Sequence, residues 1–278
     1  MLKYLISLLV IFLIYFIYLN LKKENIWMYW ENKKKKNRPK YIDLCFDTIK
    51  KHCSKDFKIN ILNEKTIHNY LPNLRPDIQY KLSIPQKTDY YRYNLLYKYG
   101  GIWLDADTIL FSSLKKLLKH LNKYDYIGSG CHDKECKNTG YPKPSNGVMI
   151  SRKNTKFMRM CISYCDRLLD NVLDKKINYF DLGRNNMWEN IELLRSEGWD
   201  YYHCSSICLE RDSNDKKFVN KRFISNEDID EKCKGNLIYI PIYNTAPGFP
   251  LWFKNLSKDD ILKGDMLISK LFRLSLSN

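Results

Sequence analysis

Two aspartates separated by one small residue, Asp105-Ala106-Asp107, are the residues of this sequence best suited to chemistry. Carboxylate oxygens are the ligands that hard divalent cations such as Mg²⁺ and Mn²⁺ prefer. A cation held there can stabilise the negative charge that grows on a diphosphate when its bond to a sugar breaks. An Asp-x-Asp pair is common by chance, and its alternative interpretation is an ordinary turn with solvated carboxylates.

The residues before this pair predict the elements that position it. Ser83-Ile84-Pro85-Gln86 has the form of a capping box with proline in the first turn, and Gly100 suits the left-handed residue that ends a helix. We therefore expect a helix from about Ile84 to Tyr99 and a short buried strand over 101–104. Acids at the end of a buried strand are costly unless something pairs with them, so a metal or Arg92 is expected to do so.

Asp89, Arg92 and Tyr93 fall at i, i+3 and i+4 of the predicted helix, so they share one face. A carboxylate suits the hydroxyls of a sugar, and a guanidinium suits a charged oxygen. The alternative for Asp89 and Arg92 is an exposed ion pair, which contributes little to stability.

The wider pattern predicts an α/β sheet. A short aromatic strand over 26–30, a helix over 41–52 and an alternating strand over 57–62 open the globular part. Further strands are expected at 108–111, 124–129, 148–151 and 237–242, and further helices at 114–121, 157–173 and 188–195.

Composition limits the possible partners. A net charge of +16 over 278 residues favours anionic partners, but no zinc-finger spacing or RNA-recognition signature is present. We therefore expect no nucleic-acid partner. A metal nuclease that uses the same carboxylates is a further alternative, but the sequence shows no catalytic lysine or histidine constellation for it. The nine cysteines, among them the loose cluster Cys131, His132 and Cys136, match no paired zinc framework and are expected to be buried or free thiols.

The first 22 residues predict a transmembrane anchor, because positions 4–21 are almost wholly apolar and no cleavage site follows them. The protein is accordingly expected to be a single-pass membrane protein with the membrane as a partner. Its orientation stays open: the lysines after the segment favour the cytosol, and the alternative is the lumen of the Golgi or endoplasmic reticulum. Glycosylation at the sequon Asn255-Leu256-Ser257 would report a lumenal face.

The stretch from Ile84 to Phe111, IPQKTDYYRYNLLYKYGGIWLDADTILF, resembles the core signature of family 32 glycosyltransferases and of the related capsular polysaccharide synthesis proteins. Those families share Asp-x-x-Arg on a helix, then Gly-Gly, an aromatic residue and Asp-x-Asp. The similarity is good from about Ile26 to Phe111 and weak beyond Asp200.

The resemblance implies a GT-A fold over residues 23–278. This would be a single Rossmann-like domain with a mixed central sheet and helices on both faces, and residues 23–40 would include its first strand and a basic loop. The resemblance also implies transfer, with retention, from a nucleotide-diphosphate sugar to a glycan, polysaccharide or glycoprotein acceptor, with Mn²⁺ or Mg²⁺ as cofactor.

By the same resemblance, Asp107 would bind the metal directly, and Asp105 would contact the ribose and the metal shell. Asp89 and Arg92 would hold the donor sugar and its phosphate side, so that Asp89, Arg92 and Asp105 are the predicted catalytic residues. The competing hypothesis is a non-catalytic, membrane-anchored binding or scaffold protein with the same fold.

Three further positions are candidates with plain alternatives. Trp30 would stack on the donor base or belong to the core. Asn146-Gly147 would touch the donor or the acceptor, or form a simple turn. His203 would be a metal ligand or phosphate contact, or a structural histidine.

Overall fold

The computed structural model describes residues 4, 6, 10, 23–32, 37–130, 142–171, 177–204, 223–229, 237–244 and 249–277. The strands are β1 (Glu24–Tyr29), β2 (Phe57–Leu62), β3 (Gly101–Leu104), β4 (Thr108–Leu110), β5 (Tyr126–Ser129), β6 (Ser145–Ser151), β7 (Tyr202–Cys204) and β8 (Tyr239–Pro241). The α-helices are α1 (Lys40–Cys53), α2 (Ile67–Tyr70), α3 (Ile78–Lys81), α4 (Ile84–Tyr99), α5 (Lys115–Leu118), α6 (Lys156–Asp170), α7 (Asn186–Ser196), α8 (Lys258–Lys263) and α9 (Leu267–Ser277).

Six of the strands form one mixed sheet in the order β2-β1-β3-β6-β5-β7. The pairs β1–β2, β1–β3 and β5–β7 are parallel, whereas β6 runs antiparallel to both β3 and β5. The reversal at β6 brings the first residues of that strand beside the end of β3. The predicted mixed α/β architecture is confirmed.

Side chains alternate across this sheet into two apolar cores. On β1, Ile26 and Met28 enter one core together with residues of α1, α8 and α9. Trp27 and Tyr29 enter the other core together with residues of α4, α6 and α7. Helices therefore cover both faces of the sheet, as expected.

Most predicted elements are present within a few residues of their expected ends. Helix α4 has the predicted bounds, with both capping-box hydrogen bonds between Ser83 and Gln86 and with Gly100 at a φ of 68°. The expected strand at 108–111 exists as β4, but it leaves the main sheet and pairs with β8 in a separate antiparallel ribbon.

The described cysteines agree with the expectation of buried or free thiols. All five are free and buried, namely Cys45, Cys53, Cys161, Cys165 and Cys204. The loose cluster of Cys131, His132 and Cys136 lies outside the described residues.

The prediction of a single-pass transmembrane helix over residues 1–22 is wrong. Crossing the hydrocarbon core takes about 20 consecutive apolar residues in one helix. No helix among the residues that the structure describes is long and apolar enough for this. Of the segment itself, Tyr4, Ile6 and Val10 are described and the remainder up to position 22 lies outside the described residues. The predicted membrane partner depended on this helix and is therefore not supported either.

The turn from α4 into β3 requires glycine at Gly101. Its φ is 96°, and a Cβ there would lie 2.4 Å from the carbonyl oxygen of Asn25 on β1. Gly198 also has a positive φ, of 87°, but a Cβ there would meet nothing within 4 Å.

Replacing each glycine by alanine separates backbone strain from close approach. Gly198→Ala should cost about 1–2 kcal/mol, the usual strain of a left-handed residue. Gly101→Ala should cost more than about 4 kcal/mol, because β1 and β3 must also move apart. Urea unfolding of both variants measures the difference, and equal losses would contradict the close β1–β3 approach.

Candidate active site

Helix α4 carries Asp89 and Arg92 into the interior rather than to the surface. The Nη2 atom of Arg92 lies 3.0 Å from Oδ1 of Asp89, and the side chains are only 4% and 8% exposed. The alternative of an exposed i,i+3 ion pair is therefore wrong for this pair. A buried charge pair must be satisfied by further partners, because desolvation is costly.

Arg92 has those partners on three sides. Its Nη2 lies 3.3 Å from Oδ1 of Asp105, and its Nη1 donates to the carbonyl of Asn146. Its guanidinium also stacks 5.0 Å from the ring centroid of Trp103 on β3. The guanidinium thus joins α4, β6 and the end of β3 at one point.

Asn146 and Gly147 lie in β6 and complete this cluster, so they do not form a simple turn. The Nδ2 atom of Asn146 donates to Oδ1 of Asp89 at 2.9 Å. The backbone N–H of Asp105 donates to the carbonyl of Gly147 at 2.8 Å. A Cβ on Gly147 would lie 3.1 Å from Oδ2 of Asp105, so a larger residue would crowd that carboxylate.

Asp105 lies at the boundary between this buried cluster and solvent. Its Oδ1 accepts from the indole N–H of Trp103 at 2.9 Å, besides its ion pair with Arg92. Its side chain is 34% exposed, far more than those of Asp89 and Arg92. Asp105 is accordingly the carboxylate of this cluster that a ligand can reach.

Asp107 sits two residues further on, where β4 and β8 meet. Its Oδ2 accepts from the backbone N–H of Asn244 at 2.8 Å, and its carbonyl accepts from Ile242 at 2.9 Å. Lys254 donates to the Asn244 carbonyl at 3.1 Å. Asn244 therefore supports the carboxylate directly, and Lys254 supports Asn244 in turn.

The two flanking acids carry raised pKa values. Burial, reinforced by the charge of Asp105, raises the pKa of Asp107 to about 6, while the Asn244 hydrogen bond and the Lys254 charge oppose the rise. Burial also raises the pKa of Asp89 to about 7, with Arg92 opposing and Asp105 adding to it. Burial works against the charge of Arg92, but Asp105 and Asp89 raise its pKa overall, so the guanidinium stays charged.

The two remaining predicted site residues, Trp30 and His203, make hydrogen bonds to residues outside this cluster. Trp30 is partly buried against the core that contains Ile26 and Met28, and its Nε1 donates to Oδ1 of Asn32 at 2.8 Å. His203 lies in β7, with its Nε2 2.8 Å from the carbonyl of Gly130. Within the described residues, no group of three or more His, Cys, Asp or Glu side chains is placed to hold a metal ion. The role of His203 as a ligand stays a prediction.

Two supporting residues, Asn244 and Lys254, were not expected from the sequence. No local pattern marks them, because their place beside Asp107 depends on the long-range pairing of β4 with β8. Gly183 was also missed: a Cβ there would lie 2.6 Å from Oδ2 of Asp89 and 2.5 Å from Nδ2 of Asn146.

Comparison with known proteins supplies the class. Residues 15–182 match the sequence family described as "Capsular polysaccharide synthesis protein". The match covers more than half of the 278 residues, so the chain belongs to this family. The resemblance stated above is confirmed, and family membership supports the predicted enzyme class, a glycosyltransferase.

Solved structures with distant similarity include three transferases. The PaToxG glycosyltransferase aligns over 92% of this chain and 87% of its own, with 14% identity and a TM-score of 0.42. GlyE of Streptococcus pneumoniae TIGR4 aligns over 66% of this chain but only 45% of its own, with 15% identity and a TM-score of 0.38. The galactosyltransferase LgtC, solved with donor and acceptor sugar analogues, aligns over 66% and 73%, with 16% identity and a TM-score of 0.40. No curated protein matches the chain.

Removing Arg92 tests the buried cluster. Arg92→Met should lower the free energy of unfolding by about 3–5 kcal/mol, because two carboxylates lose their counter-charge. Burial raises the folded-state pKa of Asp89 from its ordinary value of 3.8 to about 7, so this group makes stability fall as pH rises between those values. Loss of Arg92 raises that pKa further, so the deficit should be larger at pH 8.5 than at pH 5.5.

Urea unfolding at the two pH values measures this deficit. The matched control is Arg38→Met, whose exposed guanidinium pairs with Asp43 and should contribute at most about 1 kcal/mol. A deficit for Arg92→Met that shrinks as the pH rises would contradict the proposed burial of Asp89.

Proposed function

We propose that this protein is a metal-dependent, retaining glycosyltransferase whose residues 23–278 form a GT-A domain. It would transfer a sugar from a nucleotide-diphosphate donor to a glycan acceptor. The observation that supports this best is the buried Arg92, which pairs with both Asp89 and Asp105 and so holds the Asp105–Asp107 turn at the end of β3. Ligands of α/β sheets bind in the crevice beyond such strand ends.

Mn²⁺ or Mg²⁺ would be held by Asp105 and Asp107. These ions commonly use one or two protein carboxylates and take their other ligands from water and substrate phosphates, so a cluster of three side chains is not required. Burial makes the charge of Asp107 costly, and a cation would offset that cost. When bound, the ion would neutralise the charge that develops on the departing diphosphate.

The chain's own residues would divide the remaining work. Asp105, which solvent reaches, would contact the donor ribose and the metal shell. Asp89 and Arg92 are almost fully buried, which favours a role in orienting Asp105 and Asn146 beneath the donor sugar. Lys254, whose charge lowers the pKa of Asp107, would add positive charge on the diphosphate side.

The other candidates keep roles that follow from their positions. Gly147 would leave room for the Asp105 carboxylate, as its close approach to Oδ2 indicates. Trp30, at the end of β1, would stack on the donor base. His203, on β7, would contribute to the phosphate side.

Asp107→Asn separates stability from activity. The amide oxygen can still accept from Asn244, and burial penalises only the charged form, so the free energy of unfolding at pH 8 should stay equal or rise. Mn²⁺-dependent binding of UDP and GDP, measured by calorimetry, should fall at least about 100-fold, the scale expected when a charge-stabilising group is lost.

Product release from a panel of nucleotide-diphosphate sugars should fall in parallel. The control Asp259→Asn alters an exposed carboxylate on α8 and should change neither measurement. Wild-type activity that survives excess chelator, or full activity in Asp107→Asn, would contradict the metal role.

A further inference from the structure

Asp89, Arg92, Asp105 and Asn146 form what we call the donor cluster. A second cluster of side chains lies beside it and is not used by the proposed donor site. It occupies the segment from 177 to 188, which leads into α7 through a π-helical turn over Asp181–Asn185. The N–H of Asn185 donates to the Phe180 carbonyl five residues earlier, at 3.0 Å. Such turns are rare in proteins, and those that do occur are often found at functional sites.

Hydrogen bonds at two points hold this turn against the donor cluster. Tyr93 of α4 donates to the Gly183 carbonyl at 2.9 Å. Trp188 donates through Nε1 to the carbonyl of Pro144, just before β6, at 2.9 Å. Since Gly183 also packs directly on Asp89, the segment is fixed at the edge of the cluster that contains Arg92.

Two aromatic side chains of the segment face solvent at this edge. Tyr179 is 50% exposed and Phe180 39% exposed. Their rings are in edge-to-face contact, with centroids 4.9 Å apart. Arg184 stacks on the ring of Phe180 at 4.2 Å and on that of Trp188 at 5.0 Å. Phe180 is therefore supported by Arg184, which packs in turn on Trp188.

The backbone just before Tyr179 is bound to α4, the helix that carries Asp89 and Arg92. The Nε2 atom of Gln86 on α4 donates to the carbonyls of Ile177 and Asn178 at 3.0 and 3.2 Å. Aromatic rings have a large apolar area at low entropy cost, so an exposed pair of them offers a stacking surface to the apolar face of a sugar ring.

We propose that Tyr179 and Phe180 form the acceptor subsite, where the apolar face of a sugar ring of the acceptor glycan stacks on Tyr179. This inference rests on the proposed transferase function. The acceptor hydroxyl oxygen forms a bond to the anomeric carbon of the donor sugar as that carbon's bond to the diphosphate oxygen breaks. The bonding electron pair leaves with the diphosphate, which also takes up the hydroxyl proton. Tyr179 holds the acceptor beside Asp89 and Arg92 for this step and takes no part in bond formation.

The test compares Tyr179→Ala with Tyr179→Phe and with the control Tyr80→Ala, which removes a 77% exposed tyrosine on α3. The probe is an array of neutral and acidic oligosaccharides, used with protein, Mn²⁺ and UDP. Tyr179→Ala should weaken glycan binding at least tenfold, whereas Tyr179→Phe and Tyr80→Ala should bind as the wild type does. Where a bound glycan also accepts sugar, Tyr179→Ala should raise its KM with little change in kcat.

Calorimetry of UDP binding to each variant with Mn²⁺ distinguishes failure of the acceptor subsite from failure of the proposed function. If UDP binds equally to all variants but Tyr179→Ala retains glycan affinity, or if the wild type binds no glycan on the array, the acceptor subsite is overturned and the donor site stands. If the wild type binds no nucleotide diphosphate, the proposed function fails. Glycan binding that still depends on Tyr179 would then support a saccharide-binding site without transfer.

Discussion

The buried guanidinium of Arg92 is the interaction on which the candidate site depends. It is attached to α4, but its partners are Asp89 on the same helix, Asp105 after β3 and the Asn146 carbonyl on β6. A charge removed from water must be matched within hydrogen-bonding distance, so these three elements cannot separate without leaving an ion unpaired. The same requirement that stabilises the packing also orients the one carboxylate of the cluster that solvent reaches.

The sheet topology explains why those partners meet. Strand β6 runs antiparallel to β3, so its first residues lie beside the last residues of β3 and beside Asp105, which follows them. If β6 ran parallel to β3, its first residues would lie beside the start of β3, at the opposite end of that strand. Glycine at 147 and 183 then lets backbone approach the two carboxylates, which a Cβ at either position would crowd.

The site is acidic although the protein is strongly basic. Asp89, Asp105 and Asp107 outnumber the one arginine among them, and burial raises the pKa of two of these acids. Such an arrangement favours a cation and disfavours an anion by itself. Under the proposed function, a diphosphate would therefore bind together with a metal.

Local signals in the sequence determined α4, β3 and the turn that follows them. The capping box, the proline and Gly100 act over a few residues, so the pattern alone places Asp89 and Arg92 on one helical face and the two aspartates at a strand end. Periodicity could not show that β4 leaves the main sheet for β8, or that Asn244 and Lys254 thereby support Asp107. It also misled at residues 1–22, where an apolar run predicted a membrane span that no described helix provides. Burial of the Asp89–Arg92 pair, and the place of Gly183 beside it, were decided only by tertiary packing, because contacts such as that of Tyr93 with Gly183 join residues 90 positions apart.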